Sequence, residues 1–225
     1  MSDKIKILFV DDHQLIIEGI LSYLKDIDGL DITSTNSCDE AYSLVKSHMN
    51  TDPYHILFTD LSFDNADRNM TIDCGENLIK VLKKDSIPIK IGVITGHSET
   101  NRVYNVIHNL QPLAYILKGQ CNTTELNFAI QKMMNDQVYY THEIHEKIMK
   151  RALIEIQMDE IAIQILKELP KHSKISNMEG IITKSDGTLI KIRAIESKLA
   201  KLRTDLNANN NTDLVLKAKE LGILD

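Results

Sequence analysis

"KILFVDDHQL" (residues 6–15) joins a run of apolar residues to a pair of adjacent carboxylates. Ile7–Val10 is apolar at every position, as in a central parallel strand that is buried on both faces. Asp11 and Asp12 repel each other at the end of this strand, and a bound cation would offset the repulsion. Alternatively, Asp12 caps a helix that begins near His13. This stretch alone leaves both interpretations open.

The first 136 residues alternate between strand and helix patterns. Predicted strands cover residues 5–10, 31–35, 55–60, 90–95 and 113–118. Amphipathic helix patterns follow each strand. The second begins at a capping box of Ser37 and Glu40, and the third begins near Gly75. Five strand–helix units in a row predict an α/β fold, a doubly wound five-stranded parallel sheet with helices on both faces.

The strand patterns stop at Val138. Residues 141–154 are predicted to form a helical linker, and helix patterns follow at 158–169, 176–184, 189–206 and 212–221. "KSDGT" is a turn between the second and third of these. From Met158 onward the chain has 11 basic and 10 acidic residues, whereas the preceding part has 15 and 22. This change in charge predicts two domains with different partners.

Composition excludes several classes of protein. A net charge of −6 argues against a protein that coats nucleic acid nonspecifically. The three cysteines, Cys38, Cys74 and Cys121, stand in no metal-binding spacing. We find neither a signal-peptide pattern nor an apolar run long enough for a bilayer, so we expect a cytoplasmic protein with reduced thiols and no membrane partner.

Polar residues stand at the ends of the predicted strands. The first ends at Asp11 and Asp12, the third at Asp60, the fourth at Thr95 and the fifth at Lys118. In a doubly wound sheet these ends meet at one edge, where ligands bind. Carboxylates suit Mg²⁺, which also bridges to phosphates. We therefore predict a Mg²⁺ site in which Asp60 attacks a phosphoryl group. Lys118 would neutralise the developing charge, and Thr95 would bind the product.

Residues 1–136 resemble a response-regulator receiver domain of two-component signalling, which has a flavodoxin-like fold. The matching motifs are "FVDDH", "FTDLSF", "VITGH" and "YILKG". The resemblance implies that a sensor histidine kinase phosphorylates Asp60. It assigns Mg²⁺ to Asp11, Asp12, Asp60 and the backbone carbonyl of Ser62. It also assigns phosphoryl-stabilising or switch roles to Thr95, Lys118 and Tyr115.

One loop departs from the receiver pattern. The family has a Met-Pro step and a Gly soon after the acceptor, whereas "LSFDNADRNMTIDCG" has no Pro and reaches Gly75 several residues late. Asp64, Asp67 and Asp73 make this loop, residues 61–75, acidic. It either alters kinase choice and phosphate lifetime or is a tolerated surface insertion.

The helix pattern at 189–206 has one apolar side and one polar side. Its apolar stripe consists of Ile192, Ile195, Leu199, Leu202 and Leu206. The other side carries small residues between cations, as in a helix that enters a DNA major groove, where cations reach phosphates and Glu or Ser reaches base edges. The alternative is a solvated basic face without a ligand.

Residues 158–225 resemble a divergent helix-turn-helix domain of the LuxR/NarL/FixJ type. "MDEIAIQIL" is similar to its opening helix, "SNMEGI" to its scaffold helix, and "AIESKLAKLRTDLNANNNTDLVLKAKELGI" to its recognition helix, loop and final helix. The charge pattern of the 189–206 helix, and not the resemblance, predicts DNA contacts by Lys191, Arg193, Ser197, Lys198 and Lys201. The family's Thr-Val-Lys-x-His start is replaced by residues 194–198, so that Glu196 stands where a Lys is usual. The turn "KSDGTLIK" is longer than usual and wing-like.

The sequence thus predicts a receiver at 1–136, a helical linker at 137–157 and an all-α helix-turn-helix domain at 158–225. We expect a response regulator, not an enzyme, that is phosphorylated on Asp60 and binds promoter DNA as a homodimer. One alternative is a phospho-switched regulator that binds a protein instead of DNA. Another is a haloacid-dehalogenase-type hydrolase. That class needs two aspartates spaced two residues apart on the first strand, whereas Asp11 and Asp12 are adjacent.

Overall fold

The computed structural model describes residues 4–64 and 70–224, except for the side chains of residues 155–157. The chain forms two compact units. The first comprises the residues up to Ser98 together with 105–145, and the second comprises 99–104 and the residues from Glu146 onward. Within the described ranges, no helix is both long enough and apolar enough to cross a bilayer.

A parallel sheet of six strands forms the first unit, in the order β2-β1-β3-β4-β5-β6. The strands are β1 (Ile5–Val10), β2 (Leu30–Thr35), β3 (Ile56–Thr59), β4 (Lys90–Thr95), β5 (Ala114–Leu117) and β6 (Tyr139–Tyr140). The strand order reverses between β1 and β3, which is the switch point of a doubly wound sheet. The predicted architecture is therefore confirmed.

The predicted number of strands is too small by one. The Tyr139 N–H donates to the Leu113 carbonyl at 2.7 Å, and the Thr141 N–H donates to the Tyr115 carbonyl at 3.1 Å. These bonds add β6 beside β5 in a segment that the sequence assigned to the linker. A strand of two residues is too short to show an alternating pattern, so β6 could not be predicted from the sequence.

Helices connect the strands of the first unit. They are α1 (Gln14–Leu24), α2 (Cys38–His48), α3 (Gly75–Lys84), α4 (Thr100–Asn105), which is assigned to the second unit except for its last residue and continues in the first as a π-helical turn at Val106–Leu110, and α5 (Thr123–Met134). Ser37 caps α2, because its hydroxyl accepts from the Glu40 N–H at 3.4 Å. Glu40 does not complete the predicted capping box: its carboxylate accepts from the Thr35 hydroxyl instead.

The middle of the sheet is apolar on both faces, as predicted for β1. Ile7 and Leu8 are fully buried, and Phe9 stacks on Phe58 with the ring centroids 5.2 Å apart. Burial of each such side chain contributes about 1.5–3 kcal/mol to the free energy of folding. The end of β1, and with it Asp11, is therefore fixed in the core of the unit.

The second unit is helical. Its helices are α6 (His142–Gln157), which starts in the first unit, α7 (Glu160–Glu168), α8 (Ile192–Asp205) and α9 (Asn211–Glu220). Side chains cap two of them: Asp159 accepts from the Ala162 N–H, and Asn210 accepts from the Asp213 N–H, each at 2.9 Å. Buried Ile165, Leu199 and Leu214 join α7, α8 and α9 in one apolar core.

The prediction of a helix at 176–184 is wrong. A short 3₁₀ turn, Ile175–Met178, stands there, followed by an antiparallel bridge between Thr183 and Leu189. Gly180 has φ +83°, which a helix cannot accommodate, and the β-branched residues after it favour extended backbone. The "SNMEGI" segment is therefore not an α-helix, and α8 begins at Ile192 and not at residue 189.

Candidate functional site

Two carboxylates and an ammonium group meet at the carboxyl edge of the sheet. Asp11 follows β1 and Asp60 follows β3, and only 3% and 6% of these residues are exposed. The Nζ of Lys118, just after β5, lies 2.7 Å from Asp11 Oδ2 and 2.8 Å from Asp60 Oδ2. The structure thus places together three of the residues that the sequence predicted for this edge.

The backbone fixes both carboxylates. The Asp11 N–H donates to the Thr35 carbonyl at 3.2 Å, and the Asp60 N–H donates to the Val10 carbonyl at 3.0 Å. These bonds continue the strand ladders past β1 and β3. Asp60 Oδ1 accepts from the Leu61 N–H at 2.6 Å, which leaves Oδ2 directed at Lys118. The carboxylate of Asp60 is therefore held in one orientation.

Lys118 remains charged in this setting. Burial lowers its pKa, but the hydrogen bonds and negative charges of Asp11 and Asp60 outweigh burial, and the net effect raises the pKa above the ordinary lysine value. The ammonium supplies one positive charge for two ionised carboxylates. The group of three therefore carries a net negative charge, which favours a further cation at the same edge.

Asp12 adds a third carboxylate next to Asp11. Its Oδ2 accepts from the Asp64 N–H at 2.8 Å, and its Oδ1 lies 2.9 Å from His13 Nδ1. The alternative role for Asp12, as the cap of α1, is wrong, because His13 occupies the N-cap position. Ligand atoms of Asp11, Asp12 and His13 lie within 4.8 Å of one another. This oxygen-rich set has the chemistry that Mg²⁺ prefers.

The predicted switch residues meet at His97. Thr95 and Tyr115 are fully buried. The Thr95 hydroxyl accepts from the His97 N–H at 3.4 Å, the Tyr115 hydroxyl donates to the His97 carbonyl at 2.8 Å, and Ser62 Oγ lies 2.9 Å from His97 Nε2. His97 was not among the residues predicted for this site. Its place two residues after Thr95, at the mouth of the site, was the signal that could have found it.

Gly75 ends the 61–75 loop and packs against Asp60. A Cβ at this position would lie 1.7 Å from the Asp60 carbonyl oxygen. The Asp39 carboxylate anchors the returning chain by accepting from the Thr71 and Ile72 N–H groups at 2.9 and 3.0 Å. Gly75 therefore packs on Asp60, although it comes several residues later in the chain than the glycine of the receiver pattern. Asp67, which the sequence counted in the acidic loop, lies outside the described residues.

The predicted DNA contacts lie on or beside α8. Lys191 is its N-cap residue, and Arg193, Ser197 and Lys201 are exposed along the helix. Lys198 is half-buried, and its ammonium forms an ion pair with the Asp159 carboxylate. This hydrogen bond from Lys198 lowers the pKa of Asp159. Lys198 is thus already engaged at the start of α7.

Comparison with known proteins gives full-length likenesses. No family model matches the sequence. The response regulator VraR of Staphylococcus saprophyticus is 26% identical over 219 residues, covering 95% of this chain and 96% of the relative.

Solved structures show a similar fold over both units. RcsB of Salmonella typhimurium, a response regulator, covers 97% of this chain and 99% of its own at a TM-score of 0.62 and 17% identity. RcsB dimers bound to two parallel DNAs give a TM-score of 0.59 with the same coverage and identity. The resemblance of this chain to response regulators is therefore confirmed, and it extends along almost the whole sequence.

Proposed function

We propose that this chain is a DNA-binding response regulator of a two-component system, phosphorylated on Asp60 by a sensor histidine kinase. The observation that carries the proposal is the contact of one ammonium, Lys118, with both Asp11 and Asp60 at the switch point of a parallel sheet. The full-length likeness to VraR supports the same function for the two units together.

The geometry supports phosphoryl transfer to Asp60. The phosphohistidine of the kinase would supply the phosphoryl group: an oxygen–phosphorus bond forms at Asp60 while the nitrogen–phosphorus bond breaks. The Leu61 N–H holds Oδ1 at 2.6 Å, so Oδ2 faces the incoming group. The Lys118 ammonium, already beside Oδ2, would then neutralise charge on the transferred oxygens.

The donor set supports a Mg²⁺ ion at this site. We propose that Asp11, Asp12, Asp60 and the Ser62 carbonyl hold it. When bound, Mg²⁺ supplies positive charge for the phosphoryl oxygens. The Leu61 N–H orients Asp60, and the burial of Asp11 and Asp60 keeps water from their carboxylates.

Phosphorylation would be sensed through His97. The Thr95 hydroxyl would hydrogen-bond the new phosphoryl group on Asp60, giving up the long 3.4 Å bond from the His97 N–H. Tyr115 and Ser62 also contact His97. A change at Thr95 would therefore move the backbone on which Tyr115 depends, and this movement is the proposed start of the switch.

We further propose a cytoplasmic regulator, not an enzyme, that forms a homodimer when phosphorylated and binds promoter DNA. RcsB supports the DNA-binding and dimeric parts, because RcsB dimers have been solved on DNA. α8 supports them as well, since Arg193, Ser197 and Lys201 are exposed on it.

Lys118→Gln is expected to increase the effect of Mg²⁺ on stability. The variant leaves Asp11 and Asp60 without the ammonium that contacts them, which lowers the free energy of unfolding by about 3 kcal/mol without metal. Mg²⁺ would then bind oxygens for which Lys118 no longer competes, and it would stabilise the folded state more than in the wild type. Thermal unfolding with and without Mg²⁺ measures this. Exposed Lys80→Gln is the control, and equal Mg²⁺ shifts in Lys118→Gln and wild type would contradict the proposed metal site.

Glu196→Lys is expected to strengthen DNA binding. Glu196 is exposed on the N-terminal half of α8, where its carboxylate repels phosphates. Replacing it by Lys adds roughly one phosphate contact and steepens the dependence of log K on log salt by about 0.9. Binding titrations at several salt concentrations measure this slope, with the exposed Glu18→Lys of the first unit as control. An unchanged slope would place α8 away from the DNA.

Selection of genomic fragments by the purified full-length chain tests the function. Enrichment of a motif with two-fold symmetry is the expected result for a dimeric DNA-binding regulator. If no fragment is enriched even at low salt, the DNA-binding proposal is wrong, and the alternative of a protein partner takes its place.

A further inference from the structure

The segment before α8 is a small hairpin, residues 182–190, which we call the 182–190 hairpin. Thr183 and Leu189 form an antiparallel bridge. The Lys184 N–H donates to the Thr188 carbonyl, and the Ile190 N–H donates to the Ile182 carbonyl, both at 2.9 Å. Gly187, with φ +81°, allows the tight turn at the tip. The turn "KSDGTLIK", which is longer than usual in the family, therefore forms most of a hydrogen-bonded hairpin.

Both strands of the hairpin are anchored in the core of the second unit. Ile182 and Ile190 are 1% and 7% exposed. The Gln164 side chain of α7 binds both backbone polar groups of Thr183: its Oε1 accepts from the Thr183 N–H, and its Nε2 donates to the Thr183 carbonyl, each at 3.0 Å. Burial of Ile182 and Ile190 and the contacts of Gln164 thus fix the two ends of the hairpin, whereas its tip is exposed.

The hairpin leads directly into α8. Lys191, the residue after it, is the N-cap of α8, and the Ile192 N–H donates to Glu179 Oε1 at 3.4 Å. The first turn of α8 and the hairpin are therefore held together by one short stretch of chain. Only Lys191 separates the hairpin from the helix whose N-terminal half is proposed to contact DNA.

The tip carries two charges of opposite sign. Lys184 is exposed on its first strand. The Asp186 carboxylate turns back on the chain and accepts from the Thr188 N–H at 2.8 Å, a bond that lowers the pKa of Asp186. The Lys184 ammonium is a donor suited to a phosphate oxygen, whereas the carboxylate of Asp186 remains charged and would repel one.

We propose that the 182–190 hairpin is a second DNA-binding element, in which Lys184 contacts the phosphate backbone next to the groove that α8 enters. The ligand is the phosphodiester backbone of duplex DNA, read without regard to base sequence. This inference rests on the proposed DNA-binding function. It deepens that function by assigning a contact outside α8.

Two single-charge variants test the hairpin in the full-length chain. Lys184→Gln is expected to weaken binding severalfold and equally for selected and random DNA, and to reduce the salt slope by about one. Asp186→Asn keeps an oxygen for the Thr188 N–H and removes a repulsive charge, so it is expected to tighten binding. A purely structural hairpin would not give opposite signs.

The matched controls are Lys25→Gln and Asp26→Asn, two exposed residues after α1 in the first unit. If the wild type binds DNA and the hairpin variants change affinity and salt slope no more than these controls, the inference is wrong while the proposed function stands. If the wild type binds no DNA at any salt concentration, both are wrong. Circular dichroism and thermal unfolding of each variant separate a loss of contact from a loss of fold.

Discussion

Asp60→Asn is expected to abolish phosphate incorporation. With a phosphorylated sensor kinase or acetyl phosphate and Mg²⁺, the wild-type chain takes up a phosphoryl group and the variant takes up none, because an amide oxygen is too weak a nucleophile. The substitution preserves the shape of the side chain, so the Leu61 N–H keeps an acceptor. Incorporation of labelled phosphate measures the effect.

Asp64→Asn is the matched control for Asp60. It makes the same chemical change four residues later in the chain, at an exposed residue whose backbone N–H, and not its carboxylate, contacts Asp12. We expect it to incorporate phosphate like the wild type. Retained incorporation in Asp60→Asn, or its loss in Asp64→Asn alone, would mean that another residue is the acceptor.

Gly75→Ala is expected to lower the free energy of unfolding and to displace Asp60. The added Cβ would lie 1.7 Å from the Asp60 carbonyl oxygen and 2.7 Å from Thr59 Oγ1, so the backbone at Asp60 must shift. Overpacking of this kind costs about 3 kcal/mol of unfolding free energy. Chemical denaturation measures that loss, and we expect slower phosphate incorporation by the same variant.

Gly19→Ala is the matched control for Gly75. Gly19 lies inside α1, where a Cβ would meet no atom within 4 Å. Alanine favours a helix over glycine by about 1 kcal/mol, so this variant should be more stable than the wild type. If both variants have the stability of the wild type, Gly75 does not pack on the acceptor as described.

The polar residues at the carboxyl edge of the sheet could be predicted because their sequence signals are local. An apolar run that ends in a polar residue identifies both a buried strand and the residue at its end, as Ile7–Val10 does for Asp11. Parallel topology then brings such ends together without knowledge of any contact. Lys118 was found in this way, although its contacts with two different strand ends are long-range.

Other features could not be predicted because they depend on tertiary contacts. The sequence shows only that His97 lies two residues after Thr95, because its contacts with Ser62 and Tyr115 are long-range. β6 has only two residues and forms because β5 offers it a free edge. Residues 176–184 showed helical spacing, but Gly180 adopts positive φ and Gln164 holds Thr183 in extended backbone.

In the proposed function, phosphorylation of Asp60 controls DNA binding. The most direct measurement is the affinity of the full-length chain for a selected fragment, with and without beryllofluoride and Mg²⁺, in the wild type and in Asp60→Asn. We predict that the phosphoryl mimic tightens binding at least tenfold in the wild type, a coupling free energy of about 1.4 kcal/mol, and has no effect in Asp60→Asn. An affinity that is the same with and without the mimic, in a wild-type chain that binds the mimic, would mean that Asp60 does not control DNA binding.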